Sequence, residues 1–328
     1  MANHNFLRFI RCWAGGQVYA LDMGWVRSIQ RVDGLQRQAG AAGQIGSLEL
    51  GEVEVPIWSL AERLGGTAVT PSATQRVIVL NDPQHTWGLL IDRVSQVLTV
   101  TSDSIYLLPS IALNPAKAYF DRVIRQEDEL LLLLSIECLH PDALPVTVPA
   151  IDHSFQSASS SPQRRSTSTA NQRQGRIVVF KLPGAITGDE DFSWALSVTQ
   201  IPEILEPLPL LPVPGMPDFL LGLANWRNQP VAVIDLAVRL GLPTQRQGNG
   251  RFRLMIVRAL GNDELLGFWV DPNIKVLRLP FAHQPCPPPT LLDPQTVRAS
   301  VRLPSQEIIN IPNMEMVPIW GMDTKTSK

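Results

Sequence analysis

The chain repeats itself, and that limits what it can fold into more than any other feature. Tyr19-Ala20-Leu21, with Val26 and Ile29 behind it, returns as Trp194-Ala195-Leu196 with Ile201 and Ile204. Val55-Pro56-Ile57-Trp58-Ser59-Leu60-Ala61-Glu62-Arg63-Leu64-Gly65 returns as Val231-Ala232-Val233-Ile234-Asp235-Leu236-Ala237-Val238-Arg239-Leu240-Gly241. Arg76 to Leu80 returns as Arg253 to Val257, and Gly88-Leu89-Leu90-Ile91-Asp92 as Gly267-Phe268-Trp269-Val270-Asp271. The separation drifts from 175 to 179 residues along the four blocks, as small loop insertions would make it. Similar blocks kept in order at a slowly drifting offset are the mark of a tandem duplication.

The repeated unit reads as mainly β. Phe6 to Trp13, Gln17 to Leu21, Val53 to Trp58, Arg76 to Leu80 and Trp87 to Ile91 are short, rich in Val, Ile and aromatic residues, and bounded by Gly, Pro, Asn or Asp, which is how strands are punctuated. Gly15-Gly16 reads as the hairpin turn between the first two. One short helix is specified in each copy. Ser59 and Asp235 stand as N-caps, and Gly65 and Gly241 supply the left-handed position after Leu64 and Leu240. Proline and glycine make up about 15% of the 328 residues, too dense for a helical bundle, because proline removes a donor and clashes one turn back. Closely spaced strands without alternating long helices point to barrels or sandwiches.

Between the copies lies a different composition. Of the 19 residues from Ser157 to Gly175, eight are Ser or Thr, three Gln and three Arg, with no large apolar side chain. Such a stretch buries too little surface to offset its ordering entropy and reads as a linker. The expected organisation is therefore a first domain over 1–145, a linker over 146–175, a second domain over 176–318 and a tail over 319–328.

Charge and cysteine content narrow the function. The formal net charge is −2, made up of −4 over 1–145, +2 over 146–175 and 0 over 176–328. No domain has the basic excess that phosphate-backbone binding needs, so nucleic acid is not an expected partner. Met1 to Ile10 lacks the apolar core of a secretory signal. The longest single-type apolar run, Leu130 to Leu134, falls far short of the ~20 residues that span a bilayer. Three cysteines, Cys12, Cys138 and Cys286, form no CxxC pair, which fits a reducing cytoplasm.

Reactive constellations are missing. The five histidines stand singly, in no metal-ligand spacing. Cys286 lies in Pro285-Cys286-Pro287-Pro288-Pro289 with no base placed beside it. Gly248-Asn249-Gly250 lacks the third glycine and following helix of a dinucleotide loop. Asp92 and Asp271 recur after apolar strands, where a turn or cap role is expected. The tryptophans read mostly as core. No catalytic residue, cofactor or metal is expected.

The repeated blocks resemble the CheW-like domain of chemotaxis coupling proteins and of chemotaxis histidine kinases. That pattern opens with Tyr-(Gly/Ala)-(Leu/Ile)-x-(Ile/Val)-x-x-Val-x-Glu-Ile, matched by Tyr19 to Ile29 and by Trp194 to Ile204. A later block, with Asn-Leu-Arg-Gly before a Pro-(Val/Ile)-x-Asp-Leu run, is matched by Gly222 to Leu236. A third, Gly-(Leu/Ile)-x-Val-Asp-x-Val, is matched by Gly88 to Val94 and Gly267 to Asp271. The resemblance implies two small five-stranded SH3-like β-barrels packed together in each domain, with short helices and an apolar groove. It also implies a non-enzymatic cytoplasmic scaffold. The implied partners are the cytoplasmic tips of chemoreceptors, the regulatory domain of a chemotaxis-type histidine kinase and other CheW-like domains, without direct membrane insertion.

By the same resemblance the partner-binding positions are Val26, Ile201, Glu203, Asn225, Trp226 and Arg227. The copies differ at the polar ones. Glu203 and Arg227 match the pattern, whereas the first copy has Ser28 and Gly51, and Arg122 replaces a late glycine. The second domain is therefore expected to carry the family-type contacts. Two other readings stay open: a CheW-like scaffold of a chemosensory pathway other than taxis, and a β-barrel nucleic-acid module using Arg246, Arg251, Phe252 and Arg253.

Overall fold

A computed structural model describes residues 6–37, 43–68, 70–81, 86–113, 118–140, 175–186, 192–245, 251–259, 264–278 and 282–314. The expected linker up to residue 174, the tail from 319, His4, His85, His153, Arg246, Trp320 and Gly248-Asn249-Gly250 lie outside the described residues. The chain forms two compact units that do not coincide with the repeats, since residues 209–217 and 222–231 of the second repeat fall in the same unit as the first.

In the first repeat the strands are β1 (Phe6–Ala14), β2 (Gln17–Asp22), β3 (Val26–Arg31), β4 (Leu35–Gln36), β5 (Gln44–Leu50), β6 (Val53–Ser59), β7 (Arg76–Asn81), β8 (Thr86–Ile91), β9 (Arg93–Thr101), β10 (Ile105–Leu107), β11 (Phe120–Gln126) and β12 (Glu129–Leu134). In the second they are β13 (Arg176–Phe180), β14 (Phe192–Ser197), β15 (Glu203–Leu205), β16 (Leu210–Leu211), β17 (Leu220–Trp226), β18 (Gln229–Ile234), β19 (Arg253–Arg258), β20 (Leu265–Val270), β21 (Lys275–Arg278), β22 (Gln284–Pro285), β23 (Val297–Arg302) and β24 (Ile308–Pro312).

Each repeat builds two sheets. In the first repeat the orders are β10-β11-β12-β2-β1-β9 and β3-β7-β8-β6-β5-β4. In the second they are β22-β23-β24-β14-β13-β21 and β15-β19-β20-β18-β17-β16, the same orders with every strand moved on by twelve. Even the parallel pairs recur: β2 with β12 and β14 with β24, β6 with β8 and β18 with β20. The duplication read from the blocks is therefore a duplication of topology.

The sheets are curled, as their cores show. In the first sheet Leu98 on the end strand β9 shares one apolar cluster with Phe9, Ala20, Ile124, Leu131 and Leu133, and Ile105 from the opposite end packs against it. A flat sheet would hold its outermost strands about 24 Å apart, at ~4.8 Å per step. The second sheet closes in the same way around Leu48, Val55, Ile57, Val77, Val79 and Leu90, with Leu35 against them. In the second repeat Val179, Ala195 and Ile309 gather Ile177, Leu277 and Val301. The repeated Gly88 and Gly267 belong to this packing. A Cβ at Gly88 would come within 2.7 Å of Ile57 Cδ1, and one at Gly267 within 2.9 Å of Leu254 Cδ1.

The short helices form as expected. In α1 (Leu60–Arg63) the Glu62 N–H donates to Ser59 Oγ at 3.3 Å. After the four-residue α2 (Ile136–Leu139), α3 (Leu236–Arg239) repeats the device, Val238 N–H donating to Asp235 Oδ1 at 3.1 Å. Gly65 and Gly241 follow with φ of +92° and +73°. Loss of such a cap typically costs ~1 kcal/mol, so Asp235→Ala is expected to lower the unfolding free energy by about that much in a denaturant titration without altering the folded spectrum.

Candidate functional site

Of the six candidate residues Val26 lies in the first repeat and five in the second, with Val26 and Ile201 at equivalent places. In the first, Asp22 accepts from the Gly24 N–H at 2.8 Å and caps a 3-10 turn over Met23–Trp25, which delivers Val26 half-buried to the start of β3. In the second, Ser197 caps the turn Val198–Gln200, and Gln200 Oε1 accepts in return from the Ser197 N–H at 3.2 Å. This reciprocal cap sets Ile201, also half-buried, just before β15. Glu203 then pairs with Ile256 where Ser28 pairs with Val79. The ladders thus place Ser28 and Glu203 at one structural position, half-buried in both cases. Ser28 Oγ accepts from Gln30 Nε2 at 3.2 Å, so the first repeat satisfies the position within its own strand.

The second cluster is a hairpin tip. β17 ends at Trp226 and β18 starts at Gln229, leaving Arg227-Asn228 as a two-residue turn. Both have positive φ, +48° and +65°, the backbone of a type I′ turn, which normally favours Asn-Gly. The equivalent turn in the first repeat is Gly51-Glu52, with only Gly51 at positive φ, +67°. Arg227 is exposed and its guanidinium lies 4.8 Å from the centre of the nearly buried Trp226 ring. An arginine in a left-handed conformation costs of order 1–2 kcal/mol relative to its usual backbone. The second repeat carries that cost where the first uses glycine. Asn225 beside it is half-buried, with Oδ1 out of contact with solvent. Ile201 with Glu203, and Asn225 with Trp226 and Arg227, therefore make two surface elements of the second repeat. Val26 marks the corresponding entry in the first.

Other groups flagged by sequence are tied into the fold. Asp271 accepts from the Asn273 N–H at 2.8 Å, as a turn residue does, whereas Asp92 accepts from the Gln75 side chain, Nε2 to Oδ1 at 3.1 Å, a bond between distant segments. Arg253 is ion-paired with Glu206 at the surface, and Phe252 stacks on Trp269 at 5.5 Å and 9°, so two members of the basic-aromatic group have partners within the fold. Burial pushes the Cys12 thiol up to about 12, which leaves it protonated and unreactive. Sequence reading missed the repeated arginines of the short helices. Arg63 Nη2 donates to the His140 carbonyl at 3.3 Å, and the Arg239 guanidinium sits 5.1 Å over the Phe219 ring. Burial lowers both pKa values from the usual arginine range. Their recurrence at one place in both blocks was the signal available.

A small cavity of about 260 Å³ in the second repeat is lined by Lys181, Ser193, Asp271, Asn273, Lys275 and Glu307, among others. Ser193 donates to Glu307 at 2.6 Å, and Lys275 lies 3.9 Å from it. Among the described residues no three His, Cys, Asp or Glu side chains converge as a metal site, and no helix is long and apolar enough to cross a membrane.

The fold is that of a duplicated β protein, each repeat built of two curled sheets. The CheW-like domain family matches residues 8–143 and again 168–318, and the chain belongs to that family, with two copies of its domain. Among curated proteins it is 26% identical over 155 residues to the chemotaxis protein CheW of Helicobacter pylori, covering 47% of this chain and 91% of that protein. It is 32% identical over 126 residues to that of Klebsiella aerogenes, covering 38% and 76%. Among solved structures, the scaffolding protein TtCheW from Thermoanaerobacter tengcongensis matches 43% of this chain and 97% of its own, with 17% identity and a TM-score of 0.38.

Proposed function

We propose that this chain is a non-enzymatic adaptor of a chemotaxis-type signalling system, coupling the cytoplasmic tips of chemoreceptors to a histidine kinase. The observation that carries the reading is the double match to the CheW-like domain, with relatives named chemotaxis protein CheW in several bacteria. Two autonomous domains over 1–145 and 176–318, working in the cytoplasm and recruited to receptor arrays, are part of the same proposal. Apolar positions such as Val26 and Ile201 would supply contact area. The polar groups of the second repeat, Glu203 and Arg227, would fix register.

The test is titration of the full chain against the regulatory domain of a chemotaxis-type kinase and against a receptor-tip fragment, together with a kinase assay containing receptors. Saturable binding and a change in kinase activity are expected, with no nucleotide turnover by the chain itself. An intrinsic turnover abolished by one point mutation would overturn the adaptor reading.

A further inference from the structure

The two repeats treat the same sheet edge in opposite ways. β9 and β21 are structural equivalents: Val97 pairs with Ile10 as Val276 pairs with Val178, and both valines are exposed, 43% and 57%. Each strand ends its sheet, and among the described residues each pairs on one side only. An open edge presents a row of unpaired N–H and C=O groups, which proteins normally blunt with short strands, lysines and prolines. β21 uses all three devices. It is four residues long, begins with Lys275, ends with Arg278 and is followed in sequence by Leu279-Pro280.

β9 uses none of them. It runs for nine residues, and between Arg93 and Asp103 it carries neither charge nor proline. Its residues, Val-Ser-Gln-Val-Leu-Thr-Val-Thr, are mostly strand formers. Ser95, Gln96, Val97 and Thr99 are exposed, while Leu98 points into the core cluster. Phe6, paired with Thr101 on β9, is 65% exposed beside them.

We propose that β9 is the edge through which two copies of this chain pair, strand against strand and antiparallel. The opposite charges that flank it select a second copy as the occupant. Arg93 opens β9 and Asp103 follows it in the 3-10 turn Ser102–Ser104, five residues either side of Leu98, so a two-fold register centred on Leu98 brings each copy's Arg93 towards the turn that carries the other's Asp103. The same register sets Val97 against Thr99 on the exposed face, since paired residues of an antiparallel ladder share a face. An isologous contact of this kind is closed and does not propagate into a fibre. Self-pairing of β21 would instead crowd four cations, Lys275 and Arg278 from each copy. The inference stands apart from the adaptor reading, because it concerns only the chain's own association.

Light scattering coupled to size exclusion, on the full chain across a concentration series, tests it. The unmodified chain is expected to dimerise, and Val97→Lys/Thr99→Lys to be monomeric with an unchanged circular dichroism spectrum. Val276→Lys should leave the dimer intact. Arg93→Asp should weaken it and Arg93→Asp/Asp103→Arg restore it, a readout that does not depend on the lysine variant folding. A chain that stays monomeric up to roughly 100 µM, a dimer that survives the paired lysines, or a charge reversal without rescue would each overturn the proposal.

Discussion

Arg227→Gly is expected to weaken binding of a kinase regulatory domain or receptor tip by about thirty-fold or more while leaving the melting temperature almost unmoved. The affinity figure follows from the ~2–5 kcal/mol lost when one partner of a hydrogen-bonded charge pair at an interface is removed. The stability figure follows from three terms that nearly cancel. Glycine relieves about 1–2 kcal/mol of left-handed strain. Against this, it adds about 0.5–1 kcal/mol of chain entropy on unfolding. The exposed stack on Trp226 is worth a further ~0.5–1 kcal/mol. A residue serving only the fold would show the reverse pattern, with binding intact and the melting temperature lowered. Calorimetric titration and thermal unfolding of one full-length variant therefore separate the two roles. The first repeat already has Gly51 at this position, so its turn shows that the hairpin closes without an arginine.

What could be read from the sequence was what local chemistry dictates. The five strands read in the first copy have Gly, Pro, Asn or Asp at their ends, and the capped helices announce themselves by Ser59 or Asp235 and a following glycine. The strands that went unread have weaker punctuation. β9 follows the strand read at Trp87 to Ile91 with only Asp92 between them, too little separation to mark a second strand. The β11–β12 hairpin turns on Glu127-Asp128, and it is Glu127, at φ +53°, that is not a usual residue for a left-handed turn position. The parallel pairing of β2 with β12 joins residues more than a hundred positions apart, and no local pattern encodes such a contact. The polar equivalence of Ser28 with Glu203 came from block alignment and is reproduced by the ladders. Arg63 and Arg239 drew no separate reading. Their recurrence inside a block that is otherwise core was the physical warning.

The copies also differ inside, and the difference gives the larger stability effect. Asn310 is fully buried on β24, paired through the ladder with Trp194, and its Oδ1 accepts from the buried Ser300 hydroxyl at 2.6 Å. Its Nδ2 has no partner among the described residues. At the equivalent places the first repeat has Leu132, Val123 and Tyr19, so a larger ring in the second repeat goes with two smaller, polar neighbours. Ser300→Ala should strand Asn310 Oδ1 and cost about 1–3 kcal/mol, because an unpaired buried acceptor bears its full desolvation penalty. Adding Asn310→Leu removes that acceptor together with the already unpaired amide, so Ser300→Ala/Asn310→Leu should recover most of the loss. The two sites should then show a coupling of about 0.5–3 kcal/mol in a double-mutant cycle read by denaturant unfolding. Ser300→Val/Asn310→Leu should do less well, since both side chains grow against an unchanged Trp194 and overpacking costs about 1–3 kcal/mol. Adding Trp194→Tyr should relieve it, because the three positions then hold the combination that already packs in the first repeat. Purely additive single and double variants would show that the buried pair contributes no interaction of its own, and that the polar core of the second repeat is tolerated, not used.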